Sequence, residues 1–222
     1  MTYDFAPVTR VRFRFTLAII FVLANMAFAK AETLEVSYKS FYSHVNKLKG
    51  EETEALQFAF GFMNIKTQSL CAIKQARIST EKQQIPLTVI DNRFTVPSER
   101  ALRLADALVI LDLAEPANIC DMSVQLETKP ELLKTEYSND DLLYLYQQYT
   151  SFFDEMGGFL SFMMPKVTGI KLYFEDKTLT QKLADKVSIE NGQLSLSAEN
   201  ITAVDSLSLA EAPLRITAIT SK

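Results

Sequence analysis

The sequence predicts an α+β protein built as a tandem pseudo-repeat, each unit one amphipathic helix packed on an antiparallel β-sheet. Three observations carry that reading. Apolar residues recur at helical spacing behind capping residues in two places, period-two alternation and hairpin turns follow each of them, and the chain can be laid over itself at a shift of 96 to 101 residues. In that overlay Tyr38 falls on Tyr137, Phe62-Met63 on Phe162-Met163, Ile73-Lys74 on Ile170-Lys171, and Ile90-Asp91-Asn92 on Ile189-Glu190-Asn191. The same shift brings Ala114-Glu115-Pro116 near Ala210-Glu211-Ala212-Pro213. Helices and antiparallel strands in that alternation make an α+β class.

Residues 1–29 read as a cleavable secretory signal peptide, so the mature chain begins near Lys30 and is expected in the periplasm. Arg10, Arg12 and Arg14 precede an apolar run from Phe15 to Ala24, and Ala27-Phe28-Ala29 supplies the small-x-small cleavage pattern. A membrane-spanning helix needs about 20 apolar residues. Phe15 to Ala29 falls short before Lys30 interrupts, so no stable membrane insertion is expected after cleavage. No cysteine sits at the cleavage site to take a lipid. Cleavage removes three arginines and Asp4, which moves the formal charge from −4 to −6. An acidic chain without a cluster of lysines and arginines is a poor fit to phosphate backbones, which excludes nucleic acid as a partner. With 48% hydrophobic residues the chain can bury a substantial core.

The first unit spans residues 30–130. Ser40 precedes Phe41, Val45 and Leu48, with Gly50 after them, which predicts a short helix. Leu56, Phe58, Phe60 and Phe62 then alternate with Gln57, Ala59, Gly61 and Met63 as a strand. Ala72 to Ser79 and Pro86 to Ile90 continue the β pattern, and Asp91-Asn92 turns the chain into Arg93-Phe94-Thr95-Val96. Ser98 to Asp106 reads as a turn or a single helical turn entering a strand at Ala107 to Leu113. Cys71 and Cys120 are the only two cysteines, and an even count in an exported chain predicts one disulfide between them, inside this unit. Closing so long a loop is worth roughly 4 kcal/mol through the entropy of the unfolded chain. Two cysteines and a lone histidine do not fill a tetrahedral shell, so no metal and no cofactor is expected.

The second unit spans residues 131–222. Ser138-Asn139-Asp140-Asp141 caps a helix whose stripe is Leu142, Tyr146, Tyr149, Phe153 and Met156, and Gly157-Gly158 stops it. A strand at Ile170 to Phe174 follows. Val187-Ser188-Ile189 and Gln193-Leu194-Ser195-Leu196 flank Asn191-Gly192, whose residues tolerate the positive φ of a type I′ hairpin turn. Thr202 to Leu209 alternates like a strand.

Few residues offer chemistry. His44, the only histidine, sits beside Phe41, Val45 and Leu48 and reads as packed rather than catalytic, since a catalytic imidazole needs a nucleophile or carboxylate within reach. No Gly-x-Ser-x-Gly elbow, His-Glu-x-x-His pair or phosphate-binding glycine loop occurs. Asp140 and Asp141 suit a helix N-terminus, and Asp154, Glu155, Glu175 and Asp176 single out no pair of the kind a glycosidase uses. The most unusual local feature is the aromatic and methionine surplus from Tyr144 to Met164. The plainer reading of this surplus is core; the sharper one makes Tyr144, Tyr149, Phe152, Phe159, Phe162 and Met163 the candidate binding surface, for an envelope protein or an apolar ligand.

The arrangement from Tyr38 to Asp176 carries Pro86-Leu87-Thr88-Val89 before Arg93-Phe94-Thr95-Val96-Pro97, two flanking cysteines, and Met156-Gly157-Gly158-Phe159. It resembles an uncharacterised family of bacterial exported proteins. The resemblance implies export and carries over no activity and no site residue. The function expected from the sequence is therefore non-catalytic binding of a partner or apolar ligand in the bacterial cell envelope. The alternative is a hydrolase of envelope polymers that uses a carboxylate pair.

Overall fold

A computed structural model describes residues 32–158, 165–184 and 187–221. The expected signal peptide at residues 1–29, and Phe159, Phe162 and Met163 of the candidate surface, lie outside the described residues.

Strand β1 (Glu32–Ser37) runs straight into helix α1 (Tyr38–Val45), whose Tyr38, Phe41, Tyr42 and Val45 are all buried at three- and four-residue spacing. The helix starts before Ser40, the expected cap. Its first amide, on Tyr38, donates to the carbonyl of Ala107, so a main-chain bond to a neighbouring segment anchors the start instead of a side chain. Strand β2 (Leu56–Asn64) lies under it and buries residues of both faces. Phe41 meets Phe60 edge to face at 4.9 Å between ring centroids. The chain continues through β3 (Ile73–Ser79), β4 (Gln84–Leu87), β5 (Val89–Ile90), β6 (Arg93–Phe94), helix α2 (Arg100–Leu104), β7 (Leu108–Leu113) and β8 (Cys120–Thr128). These strands form two antiparallel sheets, ordered β1-β7-β3-β4 and β5-β6-β2-β8. The single strand expected from Pro86 to Ile90 is divided at Thr88, where the chain leaves the first sheet and enters the second.

Strand β9 (Glu136–Ser138) leads into the longest helix, α3 (Asn139–Gly157). Ser138 and Asp141 form a reciprocal capping box, with the Asp141 amide donating to Ser138 Oγ and the Ser138 amide donating to Asp141 at 2.8 Å. Then come β10 (Val167–Tyr173), β11 (Gln181–Ala184), β12 (Val187–Ile189), β13 (Gln193–Ser197), helix α4 (Ala198–Ala203), β14 (Ser206–Ser208) and β15 (Arg215–Thr220). The stretch expected to alternate as one strand from Thr202 to Leu209 thus holds the end of a helix and a short strand. Ser197 decides this by accepting the Asn200 amide as an N-cap. Among the described residues each half therefore holds two helices, one more than the expected unit.

Some pairings of the described strands recur in both halves, although β3 also pairs with β7 and β11 pairs only with β12. β1 pairs with β7 as β9 pairs with β14, β2 is flanked by β6 and β8 as β10 is by β13 and β15, and β3 pairs with β4 as β11 pairs with β12. The sequence shift between counterparts is not constant. Ile73-Lys74 lie in β3, whereas Ile170-Lys171 lie in β10, the counterpart of β2, because α3 has 19 residues where α1 has 8. At the hairpins Asp91-Asn92 matches Asn191-Gly192, one position from the expected register, since these four residues hold the positive φ of the turns. The Gly192 turn packs so closely on the preceding loop that a Cβ there would lie 2.4 Å from the carbonyl oxygen of Asp176.

The buried side chains of both halves form one continuous cluster, to which α3 contributes Leu142, Leu145, Tyr149 and Phe152. Gln148 of α3 accepts the Ala55 amide at 2.8 Å and donates to the Glu51 carbonyl at 2.9 Å. The Tyr149 hydroxyl donates to the Ile216 carbonyl of β15 at 2.6 Å and lies 3.0 Å from Thr128 Oγ1 of β8. Cys71 and Cys120 are joined by a disulfide within the first half, as expected.

Candidate functional site

The hairpin of β5 and β6, the ends of β2 and β8 and the first residues of β15 enclose a cleft of about 360 Å³, within the size range of small-molecule sites. Ala59, Ile90, Phe94, Pro130, Leu133 and Leu214 give it mostly apolar walls. Strand periodicity explains why they meet. Phe58, Phe60 and Phe62 of β2 are buried in the core, and the intervening small residue Ala59 leaves room on the other face.

Four charged side chains converge in the cleft: Asp91 at the hairpin tip, Arg93 on β6, Glu127 on β8 and Arg215 on β15. Asp91 is ion-paired to Arg215 and lies 3.4 Å from Arg93. The two arginine side chains are only 17% and 14% exposed, against 37% for Asp91. Arg215 also stacks on the Tyr173 ring at 4.5 Å, and its Nε is buried with no hydrogen-bond partner among the described residues. Burial, followed by repulsion from Arg215, lowers the pKa of Arg93 from its ordinary value. Burial raises that of Glu127, against the opposing pull of a 3.1 Å bond from Gln57 and of the two arginines. The cleft therefore presents guanidinium donors and one reluctant carboxylate against an apolar wall.

A second hairpin, β12–β13, lies one hundred positions further along the chain. Its Ser188, Glu190, Asn191, Gln193 and Ser195 line a more open, polar depression.

The expected site residues lie elsewhere. Tyr149 is fully buried and Phe152 is 7% exposed, with its ring 5.7 Å from Phe58, so both belong to the core and neither offers a surface to a partner. Tyr144 is half-buried and its hydroxyl donates to Glu54 at 3.0 Å. His44 packs its ring edge to face against Phe58 and Phe60 and meets the Ser40 carbonyl at 3.1 Å. Of the carboxylates singled out, Asp141 is spent on the helix cap and on Lys134, which hold its pKa down at about 2, and Asp176 accepts from the backbone and hydroxyl of Thr178. The cleft residues escaped sequence reading because they come from separate strands. The one local signal was Asp91-Asn92, which reads as a turn. Among the described residues no group of three His, Cys, Asp or Glu side chains is placed to hold a metal ion. Among them, too, no helix is long and apolar enough to cross a membrane.

Fold and site together define a disulfide-stapled α+β protein with a charged, apolar-walled cleft where its two halves meet. The chain belongs to the family described as "Protein of unknown function (DUF2987)", which matches residues 30–174. Asp91, Arg93 and Glu127 fall inside the matched residues and Arg215 outside them. Neither a curated protein nor a solved structure matches the chain.

Proposed function

We propose that this is a non-catalytic binding protein of the bacterial cell envelope, working in the periplasm after loss of residues 1–29, and that the cleft beside Arg93 and Arg215 takes a small apolar ligand. The observation that carries the reading is the cleft itself, about 360 Å³ in volume with mostly apolar walls. The Cys71–Cys120 disulfide supports an oxidising compartment, where such bridges persist. The recurring strand pairings support descent of the two halves from one duplicated unit. The test is displacement of an environment-sensitive apolar dye from the purified protein, compared with Ile90→Glu. Ile90 is 56% exposed and lines the cleft, so the substitution places a charge in the site at little cost to folding. Loss of dye binding is expected, and unchanged binding rules the cleft out as the site.

A second reading, hydrolysis of envelope polymers by a carboxylate pair, is favoured by one observation. Asp91 and Glu127 line the same cleft, and Glu127 holds its proton more tightly than an ordinary glutamate. Against it, Asp91 is engaged by two guanidinium groups. Turnover of peptidoglycan fragments that Glu127→Gln abolishes would favour this reading over binding.

A further inference from the structure

Resting on the reading that the cleft holds a small apolar ligand, we infer that this ligand bears a carboxylate, which takes the place of Asp91 against Arg93 and Arg215. A guanidinium carries five N–H donors in a fixed fork and accepts nothing. Arg215 gives Asp91 one nitrogen, and its Nε is left buried without a partner among the described residues. Arg93 reaches the same aspartate through long contacts, at 3.4 Å to the carboxylate and 3.5 Å to the main-chain carbonyl. The guanidiniums thus hold donor capacity that these contacts leave unused. A buried donor without a partner has lost its water and regained nothing, so a ligand oxygen placed there has a standing deficit to relieve.

The other groups facing the guanidiniums are Glu127, whose Oε1 is occupied by Gln57, and the Tyr173 ring, over which Lys171 also lies at 5.2 Å. Asp91 is the member that can yield. It sits at the tip of a hairpin, it is the most exposed of the three ion-paired side chains, and leaving the arginines returns its carboxylate to water. The chain thus neutralises its own anion site with a replaceable carboxylate, and Ile90, Phe94, Leu133 and Leu214 receive the ligand's apolar body.

The test uses decanoate, decanol and inorganic phosphate as probes in titration calorimetry on the purified protein. Decanoate is expected to bind roughly ten- to hundredfold more tightly than decanol, the worth of a charge-assisted hydrogen bond. Arg215→Met is expected to erase that difference. Asp91→Asn is expected to tighten decanoate several-fold and leave decanol unchanged, because it removes the internal competitor. Asparagine keeps the positive φ of 48° at this turn position, so the gain can be read even where Arg215→Met fails to fold. Equal affinity for decanoate and decanol overturns the carboxylate while leaving the apolar cleft standing, whereas binding of neither overturns the cleft reading itself. Phosphate as tight as decanoate overturns the apolar body, and looser decanoate binding by Asp91→Asn overturns the displacement.

Discussion

The join between the halves turns on one hydroxyl, and Tyr149→Phe isolates it. The Tyr149 side chain is fully buried, and its oxygen both donates to the Ile216 carbonyl at 2.6 Å and meets Thr128 Oγ1 at 3.0 Å. Phenylalanine keeps the ring and deletes only that oxygen, so the loss is polar and not a matter of volume. It strands two buried groups, one on β8 and one on β15, and each unsatisfied group costs about 1–3 kcal/mol, less what rearrangement recovers. A net loss of about 2 kcal/mol is expected, and for a domain of 150–250 residues that lowers Tm by about 4–8 °C. Tyr146→Phe is the control, since its hydroxyl makes a longer 3.2 Å bond to the Val167 carbonyl on a part-exposed side chain. Scanning calorimetry of both variants reads the difference directly. The same residue sets an alkaline limit. Burial raises the Tyr149 pKa above the ordinary tyrosine value near 10, so its contribution is complete below pH 10 and is lost as the unfolded state ionises above it. A Tyr149→Phe protein as stable as wild type at neutral pH, or one whose stability falls as steeply with pH above 10, refutes the argument that this hydroxyl ties the halves together.

Three further outcomes are expected. Thiol labelling of the denatured, unreduced protein should find neither Cys71 nor Cys120 free, and replacing both with alanine should cost about 2–5 kcal/mol in urea unfolding. Gly192→Ala should destabilise by more than the 0.5–1 kcal/mol or so of an ordinary glycine effect, because its φ of 67° and a 2.4 Å approach to the Asp176 carbonyl oxygen act together. Gly50→Ala, with nothing within 4 Å, is the comparison in the same melting series. The low pKa of Asp141, about 2, means its contribution is full above the unfolded value near 4 and is lost as pH falls through 2. Asp141→Asn should flatten that part of the acid stability curve, as tracked by circular dichroism.

Local rules read the local structure well. Ser138 with Asp141 marks a helix start because two backbone donors need acceptors there, and Asn191-Gly192 marks a hairpin because both residues accept positive φ. Cysteine count identified the disulfide. Long-range pairing outweighed local pattern in two places. The aromatic surplus at Tyr149 and Phe152 looked like more than one helix face could bury, yet α3 lies between the two halves and is covered from both sides, which no periodicity can reveal. Ser40 looked like a cap, but the helix begins where β1 ends, because Tyr38 is bound to Ala107. The cleft lay beyond sequence reasoning for the same reason. Asp91, Arg93, Glu127 and Arg215 come together only through the pairing of β2 with β6 and β8 and the approach of β15 to β8.

The two hairpins show why a cleft of this kind forms in one half. Both turn through positive φ. What differs is the covering. Leu214 and Arg215 of the second half lean over the first hairpin and close a space that its own sheet leaves open, whereas Ser188, Glu190, Gln193 and Ser195 line an open depression. The side chains follow the dielectric that each position experiences. Where the face is covered, charges are tolerated only as partners, and Asp91 with Arg93 and Arg215 satisfies that condition. Where it is open, uncharged polar groups and a solvated glutamate suffice. Arg215 opens β15 and reaches across to Asp91 of the first half.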